Sequence, residues 1–170
     1  MTRGFEAVLV KLDTEEFEDL SRLLDCIGTS LISSIGGASG IIFGTWFRSG
    51  ARGLSGKMEF DGWSVMQFLR EGLMGIQSRS KAVAGDKTML DVVIPACTAA
   101  ERTVQDGLEA SLEGVARAAE QGVEDTKAMI AKIGRARTLG ERAIGFPDPG
   151  AVSAYIILSA MNRFVKGEQD

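Results

Sequence analysis

The chain has no histidine in its 170 residues, which removes imidazole acid–base catalysis and His–metal ligation from its own chemistry. Cysteine is nearly absent, with only Cys26 and Cys97. No stretch reads as a secretory leader, so both are expected as buried thiols of a cytoplasmic protein. Long apolar runs are missing too. The longest, "AVSAYIILSAM", falls well short of the ~20 residues of a membrane-spanning helix. No block of basic residues occurs, and the formal net charge is −4. Phosphate-backbone binding draws on clustered Lys and Arg, so neither a nucleic acid nor a membrane is expected as a partner.

Glycine, by contrast, is in excess. The chain has 21, where an average share of about 7% would give about 12. Hydrophobic residues at 45% and charged residues at 25% are ordinary for a globular protein. The apolar residues recur mostly at helical spacing and strand signals are sparse, so the glycines are expected in caps, turns and binding loops. We read residues 1–170 as one all-α domain, an antiparallel helix bundle or barrel of about seven helices joined by short connections.

The first helix, "TRGFEAVLVKL", is in progress from Met1 with no polar cap before it. Asp13 and Glu16 suggest a capping box for the second, whose apolar face is Phe17, Leu20, Leu24, Ile27, Leu31 and Ile35. A third helix is expected from about Ser39 to Arg52. A fourth follows Asp61, with Trp63, Met66, Leu69, Leu73 and Ile76 as its buried stripe. Asp86 is expected to N-cap the fifth, which carries Pro95 in its interior, where a proline removes a hydrogen bond. The sixth carries Leu108, Leu112, Val115, Ala119, Val123, Ile130 and Ile133. The last opens with Asp148 as N-cap and Pro149 at the first helical position.

Three junctions share one expected design, small or capping residues delivering a helix N-terminus: Gly36-Gly37-Ala38-Ser39, Gly85-Asp86-Lys87-Thr88 and Pro147-Asp148-Pro149-Gly150. Unpaired amides and partial positive charge at such an end suit phosphate. The alternative for each is a plain cap, and the Walker A pattern fails because no Gly-Lys-Ser/Thr closes the loop. "GRARTLGERAIGFPDPGA" reads as a long ordered loop rather than a helix, either a phosphate-binding element through its arginines or a solvated basic loop.

"SSIGGASG", "SRSKAVAGDKTMLDVVIPA" and "GRARTLGERAIGFPDPGA", in that order, resemble the ADP-binding subunit of dihydroxyacetone kinase, of the phosphotransferase-dependent type. The resemblance implies an antiparallel barrel of eight helices holding ADP or ATP and two magnesium ions. It implies an enzyme subunit that passes the γ-phosphate of bound ATP to dihydroxyacetone on a separate, dihydroxyacetone-binding subunit, while a phosphocarrier subunit rephosphorylates ADP.

By motif, Gly37, Ala38 and Ser39 would meet the nucleotide phosphates, and Ser80 and Met89 would contact the nucleotide, Met89 under the adenine. Arg135 would be the catalytic residue, at the terminal phosphate, with Pro147, Asp148 and Pro149 beside the ribose. Met89 as core packing and Asp148 as a simple cap stand as alternatives. Ser80 departs from the glycine expected there.

The family's Gly-Asp-x-Asp-His-Gly segment, which binds magnesium, has no counterpart before "MTRGF", so no metal ligands are assigned. The first helix of the family is likewise expected to be missing. On that reading the chain would be impaired as it stands, with exposed apolar surface inviting a homodimer. The alternative is a non-catalytic relative acting through protein contacts.

Overall fold

Carboxylates placed ahead of apolar-periodic segments start three of the helices in the computed structural model, which describes residues 1–168 with the Arg135 side chain left out. Asp19 accepts from the Arg22 amide, Asp61 from Ser64 and Asp148 from Ala151. Each satisfies one orphan donor of a first turn. The described residues form seven α-helices and one 3₁₀ segment, without strands. They fall into two compact units, one up to residue 80 and one from residue 81 on.

The first unit holds α1 (Thr2–Thr14), α2 (Leu20–Ile35), α3 (Gly37–Gly50) and α4 (Gly62–Arg79). Glycines set the antiparallel register of α2 on α3. A Cβ on Gly28 would lie 2.6 Å from the Gly44 carbonyl oxygen, and one on Gly44 would lie 2.5 Å from that of Gly28. Helices this close exclude any larger side chain at the crossing. Gly50 faces Phe68, and Gly72 faces Trp46, so α3 and α4 also run antiparallel. Trp46, fully buried, packs on Phe43, Phe47 and Phe68 with ring centroids 5.5–6.2 Å apart.

The second unit holds α5 (Leu90–Thr103), α6 (Leu108–Thr126), a 3₁₀ segment (Arg135–Ala143) and α7 (Pro149–Val165). Gly122 lets α6 approach the α5 backbone, where a Cβ would collide with the Asp91 carbonyl oxygen. Val92, Val93, Ala96, Ala100, Val115, Ala119, Ala154 and Leu158 form its interior.

Several sequence expectations are corrected. Asp13 lies inside α1, and the α2 cap is Asp19, whose second oxygen also accepts from the Gly56 amide. Trp63 is 40% exposed, with Lys57 over its ring, because the α4 core face runs through Val65, Phe68, Leu69, Gly72 and Ile76. Ile130 and Ile133 lie beyond the end of α6 and are exposed. The arginine-rich segment is not wholly irregular: it winds into 3₁₀ turns broken at Gly140, where φ is 55°.

Candidate functional site

In the first unit, Gly36 ends α2 and Gly37 begins α3 with no intervening loop. Gly36 has φ 70° and ψ 172°, a region open essentially to glycine alone. Gly37 also has positive φ, and nothing lies within 4 Å of a Cβ built on either residue. The chain therefore reverses in one step and presents the first turn of α3 bare. Gly36, Gly37, Ala38 and Ser39 are all exposed, and no side chain caps this helix. First-turn amides have no intrahelical acceptor and carry the positive end of the helix dipole. Ser39 adds a hydroxyl. Ser80 ends α4 in the same unit, where its amide donates to the Ile76 carbonyl.

The second unit builds its loops differently. Asp91 reaches back from the first turn of α5 to accept from the amides of Gly85, at 2.5 Å, and Thr88, at 2.8 Å. Asp86 accepts from the Val83 amide and pairs with Lys132 at 3.3 Å. The Val83 amide first, then Lys132, holds the Asp86 carboxyl below its usual range. The expected Asp86 cap is thus corrected: Asp86 closes the preceding turn, while Thr88 Oγ1 accepts from the Leu90 amide. The Gly85 and Thr88 amides of this junction are already taken by Asp91, and the Asp86 amide by the Val83 carbonyl.

Lys87 is the residue that sequence reasoning missed. It is buried at 2% exposure with a positive φ of 60°. Its ammonium donates to the carbonyls of Thr126 (2.7 Å), Met129 (3.1 Å), Ala143 (2.8 Å) and Phe146 (2.7 Å). Three N–H donors serve four acceptors, so one is shared. The ammonium ties the end of α6 to both flanks of the 3₁₀ segment. A lysine in "GDKT" between two aspartates looks solvated in sequence. Only the spread of its acceptors over twenty residues of loop reveals the role.

Beside it, Asp148 is 8% exposed and accepts from the Ala151 amide, while its own amide donates to Thr126 Oγ1. Burial raises the Asp148 carboxyl above its usual range, against the opposing pull of the Ala151 and Gly150 amides. Met89 is 5% exposed and lies against Gly150. Met89, Pro147, Asp148 and Pro149 are therefore brought together. A cavity of about 340 Å³ opens here, lined by Lys87, Leu139, Arg142, Phe146, Pro147 and Pro149 among others. The Arg135 backbone opens the 3₁₀ segment. Its side chain lies outside the described residues.

A divalent cation would need several free carboxylate oxygens. Asp86, Asp91 and Asp148 all accept backbone amides, and among the described residues no group of three or more acidic or cysteine side chains could hold a metal. These residues do not fit the magnesium pair that the resemblance implies. No described helix is long and apolar enough to cross a membrane.

Comparison with known proteins adds a second line. Residues 1–163 match the family model described as the DAK2 domain. The chain is 37% identical over 163 residues to the PEP-dependent dihydroxyacetone kinase, ADP-binding subunit DhaL, of Escherichia coli, covering 95% of this chain and 78% of that protein. It is 34% identical to the corresponding subunit of kinase 2 of Listeria innocua, over 96% of this chain and 77% of the relative. Among solved structures, the dihydroxyacetone kinase of C. freundii superposes with a TM-score of 0.70 at 23% identity, covering 95% of this chain and 28% of that one. That likeness bears on the fold, and it supports the all-α reading.

Proposed function

Since the chain belongs to the DAK2-domain family, we propose that it is the ADP-binding subunit of a phosphotransferase-dependent dihydroxyacetone kinase. The single observation that carries the nucleotide role is the bare first turn of α3, where Gly36 and Gly37 hold positive φ and no side chain caps the amides. The Ala38 and Ser39 amides, with the Ser39 hydroxyl, receive nucleotide phosphate there. The relatives' names carry the rest: ADP as cofactor and dihydroxyacetone as phosphoryl acceptor.

In this reading Met89 offers an apolar face to the adenine, and Pro147, Asp148 and Pro149 border the ribose. Arg135 stabilises the terminal phosphate, where a planar guanidinium can donate two parallel hydrogen bonds as charge shifts during transfer. Dihydroxyacetone is delivered on a second subunit, and a phosphocarrier subunit restores ATP from ADP.

Calorimetric titration of ADP, with and without magnesium, tests the reading. Saturable binding that weakens tenfold or more in Gly37→Val supports it. Absence of ADP binding under both conditions overturns it and leaves a member of the family that acts through protein contacts alone.

A further inference from the structure

Four arginines of the first unit gather along a groove that starts near the Gly36–Gly37 turn and runs away from it. A groove of about 800 Å³ runs along α3 between α2 and α4, and Arg22, Arg48, Arg52 and Arg79 all line it. Two aspartates share the lining and offset half of that charge, leaving an excess of two positive charges. Asp19 accepts from the amides of Arg22 and Gly56, and Asp25 accepts from Arg48 Nε at 2.9 Å. Arg22, Arg52 and Arg79 are exposed, and none of the ion pairs among the described residues uses their guanidiniums. A chain of net charge −4 thus gathers a local excess of arginine in one concave place.

The two ends of the groove differ. The antiparallel register puts Arg22, Arg48 and Arg52 toward the end where α2 begins and α3 ends. Ile32, Ile41 and Arg79 line it where α2 ends and α3 begins. Ile41 is 47% exposed there. Ser21, Thr45, Ser55 and Ser78 supply hydroxyls between the charges. From Ile41 to Arg48 is about 10 Å of helix axis, and the lining continues to Arg52. That length accommodates about four or five residues of extended chain. An open, polar groove with arginines spaced along it suits a linear string of carboxylates better than a compact apolar ligand.

We propose that this groove docks an extended, carboxylate-rich segment of a partner protein, with its acidic residues on Arg22 and Arg52 and an apolar side chain on Ile32 and Ile41. The field steers the approach, and the arginine forks fix the register. This docking is independent of the nucleotide reading.

The test is fluorescence anisotropy of a labelled hexaglutamate peptide against the whole chain at low salt. The expected result is saturable binding that weakens tenfold or more in the double variant Arg22→Glu/Arg52→Glu, and by a smaller factor in Arg22→Gln/Arg52→Gln. Arg117→Glu, at an exposed position on α6, should leave it unchanged. Circular dichroism confirms that each variant is folded. Lack of saturable binding, or equal loss in Arg117→Glu, overturns the proposal. Displacement of the peptide by ADP or pyrophosphate also overturns it, because the groove would then be a small-anion site.

Discussion

The α2–α3 turn and the turn from Val83 to Asp91 both deliver a helix N-terminus, yet they are built in opposite ways. The first has no side chain at its apex and leaves its amides uncovered. The second spends two carboxylates and a hydroxyl on its own amides and buries a lysine beneath them. Sequence places both among junctions suited to phosphate, but only the first has donors to give away. An anion-binding turn is recognised by what its amides lack, and an acidic residue nearby in sequence argues against it.

Four changes would break or sharpen this contrast. The largest effect belongs to Lys87→Met, which removes the ammonium shared by four main-chain carbonyls, of which those of Thr126 and Ala143 keep a backbone donor. A loss of about 3 kcal/mol or more is expected, by analogy with removal of one partner from a buried charged contact. Urea unfolding measures it, and hydrogen exchange should speed up across residues 127–146 while the Gly36–Gly37 turn is unaffected.

Gly36→Ala should cost about 1–3 kcal/mol, since φ 70° and ψ 172° strain any L side chain. The same measurement checks it, and ADP affinity should fall with it. Asp148→Ala removes the α7 cap at a cost of about 1 kcal/mol, partly offset because a carboxyl raised by burial is no longer held in place.

The smallest effect is the pH dependence, in which the two carboxyls of the second unit act in opposite senses. Asp86 sits below the ordinary 3.8, so its stabilisation is present above 3.8 and lost as pH falls through its folded value. Asp148 sits above 3.8, so the folded state gains as pH falls from neutral through its raised value toward 3.8. Relative to Asp148→Asn, the wild type should therefore gain stability on acidification toward 3.8. Relative to Asp86→Asn, it should lose stability below 3.8. Parallel curves for wild type and both variants would show that neither shift is present.

Much of the fold was legible because helical spacing survives in a single chain. The α4 and α7 caps, Asp61 and Asp148, stand where the sequence places them. The α2 cap was misplaced by six residues because Asp13 and Glu16 imitate a capping box, while the carboxylate that closes the turn also reaches Gly56 across the chain. Trp63 was misjudged for a related reason. Periodicity fixes a stripe but not which edge of it faces the core, and Lys57 holds the ring at the surface.

The candidate site was legible where backbone alone makes it, at Gly36 and Gly37. It was illegible at Lys87, because its acceptors are main-chain carbonyls 39 to 59 positions away, and carbonyls leave no signature in composition. Asp91 was likewise passed over as a capping group, because it caps from inside its own helix.

Both tryptophans, Trp46 and Trp63, belong to the first unit, and the second has no tryptophan and a single tyrosine, Tyr155. Indole emission is therefore a one-sided optical reporter. Trp46, stacked among phenylalanines, would report the melting of α3 and α4, while Trp63 emits from the surface throughout. A loosened Lys87 clip would pass unseen in such a trace, and a protein that looked intact by its emission could already have lost the order of its second half.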